Sequence, residues 1–223
     1  MSFNVEVFHK FYCKVKNSFC LFLNKVFPEK CLGCEKHEKI NKYGFCEECE
    51  RKIVFLSDFS PPFYWITRYE GPIKNAIHGL KYGRKKYYGK KLARMYIDFL
   101  KKHKIFDFDI IIPVPLHWKK EFLRGFNQSA LISSYISREL NKPLILSDLV
   151  KIKNTCSQTK LSEKERKENV KESFHVRKST FIKGKRVLLI DDVYTTGATV
   201  RESVKVLKKA GARKVIILTL AKT

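Results

Sequence analysis

The C-terminal half of the chain alternates short, unbroken apolar runs with stretches whose apolar residues recur every three or four positions. Asp109-Ile-Ile-Ile-Pro-Val, Leu144 to Leu146, Val187 to Ile190 and Val215 to Leu220 read as strands, and Phe126 to Leu140 and Ala198 to Ala210 as helices. A strand that is apolar at successive positions has both faces buried, which calls for a parallel sheet with helices on each side. The expected fold class is therefore α/β, a doubly wound parallel sheet, in which ligands sit beyond the carboxyl ends of the strands. Upstream, Phe63-Tyr-Trp-Ile-Thr-Arg-Tyr-Glu-Gly alternates as a strand does and should end in a turn at Gly71 and Pro72. Near the start, Phe8, Phe11, Tyr12, Val15, Phe19, Phe22, Leu23 and Val26 recur at helical spacing and predict an amphipathic helix, with Cys13 and Cys20 as small hydrophobes on its apolar face. Ser60-Pro61-Pro62 punctuates the chain. It divides residues 1–60 from a larger domain, 61–223, in which a basic and aromatic part, 61–106, precedes the core, 107–223.

Composition changes this picture in one respect. Of 223 residues 44% are hydrophobic and 13% aromatic, enough for a packed core and too many for a disordered chain. Lys and Arg, however, number 46 against 22 Asp and Glu, a net charge of +24. Such a field attracts polyanions whatever the fold. No run approaches the roughly 20 apolar residues that cross a bilayer, and no small-residue cleavage site follows an apolar run, so a cytoplasmic protein without a signal peptide is expected. The basic amphipathic N-terminal helix leaves peripheral membrane contact open.

The charge is densest between Lys74 and Lys104, where only Asp98 opposes it. Lys81, Tyr82, Arg84, Lys85, Lys86, Lys90, Lys91 and Arg94 combine cations for phosphates with rings among them, the ingredients of single-stranded nucleic-acid binding. The alternative is a solvated helix face whose aromatic residues, Tyr87, Tyr88, Tyr96 and Phe99 included, turn inward.

Four of the seven cysteines form Cys31-Leu-Gly-Cys34 and Cys46-Glu-Glu-Cys49. Each pair puts two thiolates on one side of a tight turn, and two such turns facing each other make a tetrahedral sulfur cage for zinc. Because all four positions are filled by sulfur, the expected role of the metal is structural. His37 is a spare donor nearby.

The strand at Val187 to Ile190 runs directly into Asp191-Asp192-Val-Tyr-Thr195-Thr196-Gly197-Ala198-Thr199 and then a helix. Hydroxyl residues around a glycine at a helix start offer backbone N–H groups and hydroxyls to an anion, and the helix dipole favours negative charge there. Two carboxylates just before such a loop would repel a bare phosphate. They suit a sugar phosphate, whose vicinal hydroxyls can donate to them while the phosphate lies in the loop. Neither GxGxxG nor GxxxxGK[ST] occurs, so dinucleotide and P-loop readings have no support.

This pattern resembles the 5-phosphoribosyl-1-pyrophosphate (PRPP) loop of type I phosphoribosyltransferases, and the chain as a whole is similar to the ComF family (ComFC type) of competence proteins. The likeness rests also on the double CxxC, on Tyr69-Glu-Gly-Pro-Ile-Lys with His78-Gly-Leu-Lys-Tyr, on Pro113-Val-Pro-Leu-His-Trp-Lys-Lys-Glu-Phe-Leu-Arg-Gly-Phe-Asn-Gln128, and on Gln158-Thr-Lys-Leu-Ser-Glu-Lys-Glu-Arg166-Lys-Glu-Asn-Val with Phe174. It implies a type I phosphoribosyltransferase-like domain behind a small four-cysteine zinc module. Asp191 and Asp192 match the ribose-binding pair, Thr195, Thr196, Gly197, Ala198 and Thr199 the 5′-phosphate loop, and Pro115, His117, Lys119, Arg124, Asn127 and Gln128 the pyrophosphate loop. Gln158 and Arg166 would belong to a flap, and residues 61–106 would supply the acceptor hood. The implied catalytic residues are Asp191, Asp192 and Arg124, and the implied cofactors are structural zinc and magnesium with PRPP. The resemblance implies a part in DNA uptake and natural transformation, with single-stranded DNA, DNA-translocation proteins and recombination-loading proteins as partners. The alternative is an active magnesium-dependent transferase acting on a nucleobase or amine without a direct DNA role.

Overall fold

The computed structural model describes residues 29–83, 85–154 and 171–223. The amphipathic segment at the N-terminus, Arg84, and the flap residues Gln158 and Arg166 lie outside the described residues. In chain order the elements are α1 (Glu47–Arg51), β1 (Phe63–Arg68), α2 (Gly71–Tyr82), α3 (Tyr87–Lys102), β2 (Ile110–Pro113), α4 (Trp118–Arg124), α5 (Gln128–Leu140), β3 (Leu149–Lys151), β4 (Phe174–Val176), β5 (Arg186–Tyr194), α6 (Ala198–Lys209) and β6 (Lys214–Lys222).

Four strands form a parallel sheet in the order β1-β6-β5-β2. Its register sets Ile110 against Val187 and Pro113 against Ile190, while Leu188 faces Ile216 and Phe63 faces Ile217. Successive residues of β5 serve opposite faces. Leu188 and Ile190 join Ile216, Leu218 and Leu220 beneath α2, α3 and α5. Val187 and Leu189 join Val215, Ile217, Ile110 and Ile112 beneath α6. That two-sided burial is why the strands are apolar at every position.

Two expectations are corrected, and one small sheet lies outside them. Gly71 and Pro72 do not make a turn; they open α2, where proline in the first turn loses no hydrogen bond because the first N–H groups of a helix have no intrahelical partner. Leu144 to Leu146 is not a strand but one parallel bridge, Leu144 with Ile111. A small antiparallel sheet of β3 and β4, too short to show periodicity, was not foreseen.

The cysteine-bearing segment is packed onto the rest. Cys31, Leu32, Phe45, Cys46 and Cys49 share one hydrophobic cluster with Ile73 and Ile77 of α2 and Tyr88 and Leu92 of α3. Gly33 is forced by that closeness, since a Cβ there would stand 2.7 Å from Pro72 Cβ and 2.9 Å from Cys49 Sγ.

Candidate functional site

At the carboxyl end of β5, beside the end of β2, lies a cleft of about 230 Å³. Its floor is Asp191 and Asp192, both buried. Each carboxylate is held. Ser129 Oγ donates to Asp191 Oδ1 at 3.0 Å, and the Tyr96 hydroxyl donates to the Asp191 backbone carbonyl at 2.6 Å, fixing the strand end from α5 and α3. Asp192 accepts from Gln128 Nε2 at 3.1 Å and pairs with the Lys81 ammonium, which reaches in from the last turn of α2. Gln128 in turn accepts from Arg124, whose guanidinium lies 5.3 Å from the centroid of the Tyr82 ring.

These contacts separate the two acids. Burial, and then the neighbouring Asp192 charge, push the Asp191 carboxyl up to about 7. Burial would raise Asp192 as well, but the Lys81 charge outweighs it and keeps Asp192 below its ordinary value.

The rest of the cleft is cationic and rich in backbone donors. Thr195, Gly197, Ala198 and Thr199 line it. Gly197 adopts φ +72° as the N-cap of α6, a left-handed conformation that glycine tolerates, and a Cβ there would collide with the Tyr194 ring. The turn thus aims the first N–H groups of α6 at the cleft, a ready anion site. Lys120, Arg124 and Lys151 line the cleft as well. Burial first, and the Lys120 charge second, lower the Lys151 amine to about 8.

The structure therefore brings Asp191, Asp192, Pro115, Arg124, Gln128 and the residues 195, 197, 198 and 199 to one cleft. Other expected ligands do different work. His117 is buried as the N-cap of α4, its Nδ1 accepting from the Lys119 N–H at 3.3 Å. Lys119 turns its ammonium to the Trp118 ring, 5.5 Å from the centroid. Asn127 caps α5 and donates to the Val114 carbonyl at 3.0 Å. The Thr196 hydroxyl accepts from the Ala198 N–H at 3.4 Å. Among the residues singled out for nucleic acid, Lys81 is committed to Asp192, Lys85 to Glu35 and Lys91 to Glu29, each drawn to a carboxylate and half-buried. Tyr82, Lys86, Lys90 and Arg94 are exposed. Ser129, Tyr96 and Lys151 escaped sequence reasoning because they lie far along the chain from the acidic pair and carry no local motif.

The four cysteine sulfurs lie within 4.8 Å of one another, with Cys34 Sγ and Cys46 Sγ 3.8 Å apart. Tetrahedral zinc with Zn–S bonds of ~2.3 Å places its sulfurs ~3.8 Å apart, so the set fits a zinc ion with little adjustment. Burial alone would raise the Cys31 thiol, but N–H groups directed at it, Cys46 first among them, hold it down to about 7, towards the thiolate a metal requires. Among the described residues no helix is long and apolar enough to cross a membrane.

A sequence model of the phosphoribosyl transferase domain family matches residues 127–223. Competence protein F of Haemophilus influenzae is 31% identical, the alignment covering 86% of this chain and 90% of that protein. The DNA utilization protein YhgH of Shigella flexneri is 30% identical over 78% of this chain and 73% of its own. Competence protein ComFC of Bacillus subtilis is 33% identical over a shorter span, 51% of this chain and 45% of that one.

Proposed function

The chain belongs to the ComF family of competence proteins, and from that premise we propose that it binds PRPP in the β5 cleft and single-stranded DNA on its cationic surface, acting in the uptake and use of incoming DNA. The observation that carries the PRPP reading is the buried acidic pair followed at once by the left-handed Gly197 and the start of α6. Only a ligand that joins hydroxyl donors to an anion uses both halves of that arrangement. Vicinal ribose hydroxyls would donate to Asp191 and Asp192, the 5′-phosphate would accept from the N–H groups behind Gly197, and the pyrophosphate would meet Lys120, Arg124 and Lys151. Cations fixed on the leaving-group side need no reorganisation as charge builds there. Magnesium would enter with the pyrophosphate, as it commonly keeps waters and substrate oxygens as ligands, and would neutralise the leaving group; the acidic floor beside the cation wall suits that ion. Zinc at Cys31, Cys34, Cys46 and Cys49 is proposed as structural, because three of the four sulfurs are buried in a core shared with α2 and α3.

A transferase reading draws support from one feature. Tyr82 is exposed at the mouth of the cleft, where a planar acceptor could stack beside the ribose carbon. Release of pyrophosphate with a nucleobase present would establish it.

The deciding experiment is a calorimetric titration of PRPP with magnesium into the wild-type protein and into Asp191→Ala/Asp192→Ala. Saturable binding that the double variant loses while keeping its thermal transition supports the reading. Equal binding by both, or none by the wild type, overturns it.

A further inference from the structure

Helix α4 carries Trp118, Phe122 and Leu123, yet it buries none of its residues. Trp118 is 65% exposed, Phe122 82% and Leu123 73%. An ordinary surface helix turns its apolar side chains to the core; this one holds them out. Its other residues are Lys119, Lys120, Glu121 and Arg124, so cations outnumber the single carboxylate. Beside it lies a second cavity of about 480 Å³, walled by Trp118, Leu146, Ile152, Lys151 and Arg177 among others.

The rings are spaced among cations in a way that suits a polyanion with planar bases. Lys119 Nζ lies 5.5 Å from the Trp118 centroid. The guanidinium of Arg124 lies 5.3 Å from that of Tyr82, itself 64% exposed. Lys86 Nζ lies 5.4 Å from that of Phe126. Of these rings Trp118 and Tyr82 are exposed, and a base stacked on either has a cation close by for its own phosphate, whereas Phe126 is half-buried against the core and Tyr88, Tyr96 and Phe99 of α3 are buried and offer no stacking face. We infer that single-stranded DNA lies along α4, its bases on Trp118 and Phe122, and continues past Tyr82 at the mouth of the sugar-phosphate cleft.

The inference rests on the strand-binding reading proposed above and assigns it a surface. Charge selects this occupant. A net charge of +24 favours a polyanion over a second copy of the chain, and the apolar N-terminal stretch, with Lys10, Lys14, Lys16 and Lys25, would bring further positive charge to a cationic ledge.

The test uses the full chain and an oligothymidylate of roughly 15 nucleotides, a length within the site sizes of known strand-binding grooves. The protein has two tryptophans, and Trp65 is only 6% exposed, so quenching of the exposed tryptophan reports stacking on Trp118. The expected results are quenching in the wild type, its loss in Trp118→Phe with affinity nearly kept, and affinity weakened roughly tenfold for each ring removed in Trp118→Ala and Phe122→Ala. An abasic oligomer of equal length should bind wild type and Trp118→Ala alike. If the wild type binds and Trp118→Ala/Phe122→Ala binds as tightly, the ledge is wrong and strand binding stands; retention of binding alongside loss of self-association in that variant would show that a second copy covers the ledge. If the wild type fails to bind at low salt, the strand-binding reading itself falls, and the ledge with it.

Discussion

Lys81 shows how a single residue changes meaning once the chain is folded. In sequence it is one cation in a basic run; in the structure its ammonium rests on Asp192 and keeps that acid ionised in a buried site. At Asp191 burial and the Asp192 charge outweigh the pull of Lys81, which leaves it as the acid pushed up to about 7. Lys151, lining the same cleft, is lowered by burial to about 8, just above it. On the proposed PRPP reading these two groups would set a window for ligand binding. Asp191 must be ionised to accept from ribose hydroxyls, which fails as pH falls through about 7, and Lys151 must be protonated to attract pyrophosphate, which fails as pH rises through about 8. PRPP affinity measured calorimetrically from pH 6 to 9 should therefore peak between those limits. Lys151→Met should flatten the alkaline limb and leave the acidic one. An alkaline limb that survives in that variant would exclude Lys151 as its cause. The same shift bears on stability with a definite sign. Because Asp191 holds its proton more tightly folded than unfolded, its destabilising effect is absent below the unfolded value near 3.8 and complete above about 7.

At the level of elements, what the sequence disclosed was what burial had written into it. Strands β2, β5 and β6 were legible because both faces are covered, and α5 and α6 because each presents one apolar stripe to a sheet face. Strands β3 and β4, three residues each, left no periodic trace. The start of helix α2 was hidden by Gly71-Pro72, a pair that reads as a turn but also suits a first helical turn. The site divides in the same way. The acidic pair and the loop to Thr199 are contiguous and could be read directly, whereas Ser129, Tyr96 and Lys151 reach the cleft only through tertiary packing. His117 and Asn127 stand out in the sequence as ligand candidates, and the structure shows each capping a helix, since an N-cap and an anion ligand draw on the same polar residue types. The buried sulfurs of the cysteine turns share a core with α2 and α3, and α3 reaches the cleft through the Tyr96 hydroxyl. If zinc occupies these cysteines as proposed, its chelation should shift the thermal transition of the whole protein downward as one step and weaken PRPP binding with it. A separate early transition, with PRPP affinity unchanged, would show that the turns are energetically isolated.

Across the whole molecule the charge is too large to serve folding, which like-charge repulsion opposes. It makes sense as a long-range attraction whose short-range partners are the exposed rings and cations from Trp118 to Tyr82. Attraction of that kind leaves a signature in salt. Each phosphate neutralised on a single strand contributes a slope of about −0.7 to the dependence of log affinity on log salt. A strand that engages about four phosphates along α4 and the start of α3 should thus bind with a slope near −3, losing roughly 50-fold in affinity between 50 and 200 mM monovalent salt. Thymidine and adenosine oligomers should differ little, since stacking accepts any base. Removing Lys119 should lower the slope by about one phosphate's share, while removing Trp118 should lower affinity equally at every salt concentration. That contrast separates the two components of the surface. If the two variants change slope and affinity in the same proportions, rings and cations do not act as independent parts of one strand-binding ledge. A flat salt response in the wild type would leave the +24 charge without a role in strand capture.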